Sequence, residues 1–271
     1  MPTKRALTAS LPAEQRTSLR QLWRIAAAGV SYVLFALGGV LPAFYSLLLS
    51  VAPLDTAVKQ QKLRRLIAGL CRFYIGLMKF LGLFQYSITN LPNQTTRGHV
   101  IIANHSMLID ALFVLGYLDN VCCVVKASLA TNPFTRVPVA LAGYVTNSDP
   151  KLLETATHKL AAGENILIFP EGTRNSFDLQ LEFKRGAANL AVIAGAPLLP
   201  VLLLCRPRAL GKGEKWYELP AENLQITMQC LPAVQVENCI DTTLPRPLQY
   251  RRLTSHLTNL YRDAISQAMS R

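Results

Sequence analysis

The chain has 271 residues, 51% of them hydrophobic, and a formal net charge of +12. That length accommodates one α/β domain with a full core plus a short appendage, and so oily a composition argues against a basic nucleic-acid binder. The charge is uneven: residues 1–80 hold eleven Lys and Arg against two acids, Glu14 and Asp55, whereas residues 81–271 hold seventeen against fourteen.

Residues 1–24 form a basic N-terminal segment, and residues 25–84 read as a membrane anchor, because anionic headgroups attract the charge and hydrocarbon accepts the rest. The stretch 25–51, "IAAAGVSYVLFALGGVLPAFYSLLLSV", contains no charge and as a helix is long enough to cross a bilayer. It is too long for a cleaved signal peptide, and no small-x-small site follows it closely. Gly38, Gly39 and Pro42 interrupt it, and basic residues flank both sides, Arg16, Arg20 and Arg24 before and Lys59, Lys62, Arg64 and Arg65 after. A single span would place one cluster outside, against the positive-inside tendency, so a re-entrant helix and a spanning one both stay open. In residues 62–84, Arg65, Arg72 and Lys79 recur every seven residues on one stripe with Lys62, Gly69 and Gly76. That pattern predicts an interfacial amphipathic helix, the alternative being a core helix with a solvated basic edge.

Residues 85–271 form the second domain. "HVIIA" (99–103) and "VCCVV" (121–125) predict strands, and "ATNPFTRVPVALAG" (130–143) predicts a helix followed by the strand "YVT" (144–146). Asp149 and Pro150 open a helix through residue 162. "NILIF" (165–169), "LLPVLLL" (198–204) and "LQITMQC" (224–230) predict strands, with helices at 186–195 and 248–269. The alternation implies an α/β fold with a largely parallel sheet flanked by helices. Cys71, Cys122, Cys123, Cys205, Cys230 and Cys239 show no metal spacing and read as reduced cysteines of a cytoplasmic protein. No metal site is expected.

Functional groups of such a sheet gather where strands end and helices begin. His105 follows "IIAN", and Asp110 falls in the first turn of the next helix, close enough to orient the imidazole as a general base. A structural histidine beside a capping aspartate fits the same spacing. A second cluster, "LIFPEGTRNS" (167–176), turns out of a buried strand with Glu171, Gly172, Thr173 and Arg174. Glycine permits a tight turn, threonine offers a hydroxyl, and arginine a fork for phosphate or carboxylate. In "FKRGA" (183–187), Lys184 and Arg185 open a helix whose N-terminus favours an anion.

H-x4-D in "NHSMLID", then "FPEGTR", "FKRGA" and "PLLPV" (197–201), resemble the membrane-associated glycerolipid acyltransferase family over roughly residues 60–210. The resemblance implies a glycerolipid-acyltransferase-like fold. It also implies acyl transfer from an acyl carrier protein or coenzyme A thioester to a lysophospholipid hydroxyl, with no acyl-enzyme and no cofactor. His105 would be the base and Asp110 its orienting group. Glu171, Gly172, Thr173 and Arg174 would shape the acceptor site, and Lys184 would lie near its phosphate. Where the family usually carries an arginine at the end of a glycine-led strand, "GYVTNSD" (143–149) has Asn147 and Ser148, poorer phosphate ligands. An acceptor with another headgroup, or another lipid alcohol, is therefore the alternative. A catalytically silent lipid-binding protein is the reading from another class. The expected partners are membrane lipids and the thioester donor, with no nucleic acid. The expected location is the inner (cytoplasmic) membrane with the catalytic domain facing the cytoplasm. The oligomeric state is left open.

Overall fold

The computed structural model describes residues 19–270 apart from 94–95, 134, 175–180, 212, 216–219 and 221. Arg16 and most of the basic segment 1–24, Asn175 and Ser176 of the second motif, and most of the loop 216–221 lie outside the described residues.

The chain opens with α1 (Leu19–Gly38), α2 (Val40–Val51) and α3 (Thr56–Phe80). β1 (Phe84–Thr89), β2 (Val100–Ala103), α4 (Asp110–Tyr117), β3 (Val121–Val125), α5 (Ala127–Thr131), α6 (Arg136–Leu141) and β4 (Val145–Thr146) follow. The rest is α7 (Leu152–Ala161), β5 (Asn165–Ile168), α8 (Gly186–Ala194), β6 (Leu198–Arg206), β7 (Leu224–Cys230) and α9 (Arg246–Met269). The strands form one seven-stranded sheet in the order β1-β7-β6-β2-β5-β3-β4. β6, β2, β5, β3 and β4 run parallel, and β7 joins antiparallel to β6 with β1 parallel to β7.

The central strands are apolar throughout because both faces are covered. Ile101 and Ala103 point into a core with Ile75 of α3 and Phe113 of α4, while Val100 and Ile102 point into one with Leu190 of α8 and Leu257 of α9. Three expectations change. The helix expected over 130–143 is two short helices, because Pro133 disfavours helical geometry at Asn132, which is extended (φ −68°, ψ 128°). The strand β1 was not anticipated, although its alternating burial is that of a strand with one covered face. The helix expected to open at Asp149 and Pro150 starts two residues later, α7 having Lys151 at its N-cap, and Asp149 Oδ1 accepts the Lys151 N–H at 2.8 Å in the turn before it.

The apolar N-terminal stretch does not turn back on itself within 25–51. Gly39 stays helical (φ −66°, ψ −21°), so α1 continues into α2. Pro42 lacks the N–H that the Gly38 carbonyl would have used, which accounts for the interruption. The 31-residue stretch Gln21–Val51 is long and apolar enough to cross a membrane by length and composition. Both its ends nevertheless touch the α/β domain: Arg24 donates to the Pro220 carbonyl, and Leu49 is buried with Leu63 and Ala142. The reversal comes at Ala52–Asp55. α3 then returns antiparallel, with Trp23 Nε1 donating to the Leu81 carbonyl and Phe35 against Tyr74. The pair is a helical hairpin lying along the domain, its outer face bare: Phe44 is 60% and Val51 81% exposed.

Arg64 fastens this hairpin. It is buried, and its guanidinium donates to the Ala142 carbonyl (2.8 Å), Asn120 Oδ1 (3.0 Å) and Glu164 Oε2 (2.9 Å). Lys159 also reaches Glu164, at 3.1 Å. Arg64→Met should therefore destabilise the protein by about 2–4 kcal/mol, because the Ala142 carbonyl loses its donor while Lys159 still neutralises Glu164. Denaturant unfolding in detergent, with amide exchange read along α3, measures it. Unchanged stability and exchange would show that the hairpin is held elsewhere.

Candidate active site

The parallel strands end along one edge of the sheet, and the loops leaving β2, β5 and β6 meet there. After β2, Asn104 is buried and pairs with Leu203 of β6 through two 2.7 Å hydrogen bonds, Nδ2 to its carbonyl and Oδ1 from its N–H. The side chain thus continues the ladder and sets where the next residue emerges.

That residue is His105. Its Nδ1 lies 3.1 Å from Asp110 Oδ2, and the same oxygen accepts the N–H groups of Ser106 (2.6 Å) and Met107 (2.7 Å). Asp110 is fully buried, while the imidazole is 22% exposed. With the Nδ1 proton directed at the carboxylate, Nε2 across the ring is the nitrogen left to receive a proton. The Phe169 ring lies against the imidazole, centroids 4.4 Å apart. Asp110 is thus both the closure of its loop and the partner of the histidine.

The second cluster leaves β5 next to β2. Glu171 is buried and its Oε1 accepts the His105 N–H at 2.8 Å. Its carboxylate therefore holds the histidine loop rather than standing open to a ligand. Gly172 has φ +72°, and a Cβ there would come within 2.7 Å of Lys184 Nζ, so the glycine makes room for the lysine laid across it. Thr173 is exposed beside it. Arg174 is half-buried, its Nη1 donating to the Leu210 (3.3 Å) and Gly211 (3.2 Å) carbonyls after β6, and its charge acts on Tyr32 of α1. Lys184 and Arg185 are exposed at the start of α8.

Asn147 sits apart from this group. It follows β4, three strand positions from β2 and so about 14 Å along the edge. Its Oδ1 accepts the Ala127 N–H at 3.2 Å, which caps α5. Two contributors carried no signal in the sequence. Lys126, exposed at the end of β3, adds a cation at the same edge. Tyr261 of α9 is fully buried and its hydroxyl donates to Ile102 O (2.7 Å) and accepts the Val201 N–H (3.0 Å), fastening β2 to β6 below the histidine.

An acyltransferase family model matches residues 85–204. The chain is 32% identical over 145 residues to the 1-acyl-sn-glycerol-3-phosphate acyltransferase of Pseudomonas aeruginosa, covering 51% of this chain and 56% of that one. It is 32% identical over 182 residues to the protein of the same name from Saccharomyces cerevisiae, covering 63% and 58%. The chain thus spans little more than half the length of these relatives. Its fold is similar to the crystal structure of the 1-acyl-sn-glycerophosphate acyltransferase PlsC from Thermotoga maritima, with a TM-score of 0.73 at 18% identity, over 93% of this chain and 99% of that one.

Burial pushes the Asp110 carboxyl up from its ordinary value, against the lowering effect of the His105, Met107 and Ser106 hydrogen bonds. A raised folded-state value means that stability is greatest while the carboxyl is protonated and falls as pH rises through the window up to that value. Asp110→Asn keeps an oxygen for the two N–H groups and escapes the cost of burying charge. Its melting temperature should match or exceed the wild type at neutral pH, and the difference should shrink toward pH 4. A large loss of stability at neutral pH would show that the charge itself holds the loop.

Proposed function

We propose that the protein is a membrane-bound O-acyltransferase of the 1-acylglycerol-3-phosphate type, moving an acyl group from a thioester to a lysophospholipid hydroxyl, a reading supported by the acyltransferase family model that matches residues 85–204. The observation that carries this reading is the His105–Asp110 contact at the strand edge, walled by the Glu171–Arg174 turn. His105 Nε2 takes the hydroxyl proton as that oxygen attacks the thioester carbonyl. The tetrahedral intermediate then collapses, the C–S bond breaks, and the imidazolium returns the proton to the leaving thiolate. Asp110 stabilises the imidazolium in between. No serine or cysteine nucleophile enters, and no cofactor is needed.

Arg174, Lys184, Arg185 and Lys126 supply positive charge for the acceptor headgroup, while Gly172 and Thr173 shape the turn. The helical hairpin lies in the cytoplasmic leaflet of the inner membrane, its bare apolar face in hydrocarbon and the domain facing the cytoplasm, where acyl carrier protein or coenzyme A thioesters are available. A second acceptor is favoured by one observation: Asn147 is neutral and engaged with the Ala127 amide, so that side chain adds no charge to the one Lys126 brings to this stretch of the edge. A lysolipid with another headgroup, or another lipid alcohol, fits that edge.

His105→Ala should lower turnover about 10²–10⁴-fold with membrane attachment retained, read by mass spectrometry of products from one labelled acyl thioester and an acceptor panel. Turnover near wild type would remove the mechanism. On the same panel, Asn147→Arg should improve lysophosphatidic acid use selectively, on the order of tenfold. If the wild type already prefers lysophosphatidic acid over zwitterionic lysolipids, the second acceptor is excluded.

A further inference from the structure

At the sheet edge opposite His105, a cavity of about 480 Å³ lies between α3 and the turn from α4 into β3, within the size range of small-molecule sites. Its wall includes Arg65, Ala68 and Arg72 from α3, and Gly116, Tyr117 and Asp119 from the turn. Arg64 also reaches it but is neutralised by Glu164. Arg65 is exposed and has no hydrogen-bond or ion-pair partner among the described residues. Arg72 donates one hydrogen bond, from Nη1 to the Gly116 carbonyl at 2.7 Å, which steadies its guanidinium while leaving other N–H groups available. Asp119 is the one acid among the described residues of the wall, so Arg65 and Arg72 outweigh it.

What borders the cavity indicates its ligand. Around α3, the buried side ends at Arg64, Cys71 and Ile75, the cations come next, and Phe73 and Phe80 follow a further turn of about 100° on. Those two rings are 69% and 86% exposed. The guanidinium groups thus stand between the domain and an apolar surface, at the level where a lipid phosphate meets its chains. An acidic protein would meet bare phenyl rings beside the cations.

We propose that this cavity is a headgroup site for an anionic phospholipid, separate from the acceptor site, with Arg65 and Arg72 as its phosphate ligands. It rests on the reading that the hairpin meets a membrane.

The test is vesicle flotation of the full-length protein with phosphatidylcholine alone and with added phosphatidylglycerol. Wild type binds neutral vesicles through the hairpin and anionic ones more tightly, on the order of tenfold. Arg65→Gln with Arg72→Gln keeps neutral binding and loses most of that increment. Lys62→Gln with Lys79→Gln removes equal charge outside the cavity and keeps most of it. Ala68→Trp fills the cavity at unchanged charge and loses it. Equal losses in the two double variants would mean diffuse attraction and overturn the site. It is also overturned if the arginine variant alters only the KM of an acyl carrier protein donor. Inorganic phosphate is the other source of the same chemistry: if it shields Arg65 and Arg72 from phenylglyoxal and anionic vesicles do not, a free-ion site replaces the lipid site. A wild type that floats with neither vesicle overturns the membrane reading and the site together. One that binds neutral vesicles but gains nothing from phosphatidylglycerol overturns the site alone.

Discussion

One carboxylate oxygen organises the centre of this protein. Asp110 Oδ2 receives the imidazole of His105 and the N–H groups of Ser106 and Met107. The loop between β2 and α4 is buried at Ser106, Met107 and Ile109, where an N–H without an acceptor is costly. A side chain that supplies that acceptor closes the loop ahead of α4 and aims the histidine in one step. The charge is expensive to bury, and the converging donors are what make it tolerable. Its Oδ1 is buried with no hydrogen-bond partner among the described residues, so the neighbouring loops have to keep the carboxylate turned the right way.

Those loops are interlocked rather than merely adjacent. Glu171 holds the His105 amide, Leu108 donates to the Leu210 carbonyl, and Arg174 holds the Leu210 and Gly211 carbonyls. Beneath them Asn104 and Tyr261 bridge β2 and β6 by side-chain hydrogen bonds. The ends of β2, β5 and β6 are thus fastened to one another by buried or partly buried polar contacts. Such contacts are worth most in a water-poor setting, and they hold the loop that carries the imidazole.

The hairpin joins this edge to the surface. Arg24 reaches the Pro220 carbonyl, Tyr32 lies in the field of Arg174, and Arg64 fixes the opposite end of α3 to Asn120 and Glu164. A polar contact at Arg24 and an apolar one at Leu49 keep the long apolar rod along the domain although its outer face is bare.

Much of this was legible in the residues. Continuous apolar runs marked the buried central strands, because strands covered on both faces need no polar alternation. The placement of His105, Asp110 and the Glu171–Arg174 turn at strand ends followed from the alternation of strand and helix, and the oily front end was visible as composition. Four features were decided by tertiary structure alone. Local periodicity cannot show which strands pair, so nothing in "FQYSIT" says that β1 lies parallel beside β7. Glu171 faces the His105 amide because β5 lies beside β2, a neighbour relation absent from the sequence. Tyr261 reaches Ile102 across 159 positions, and the apolar helix lies along the domain because Arg24 and Leu49 both find partners on it. Pattern along the chain records which faces must be buried; which groups then meet depends on sheet order and helix docking, where partners are far apart in sequence.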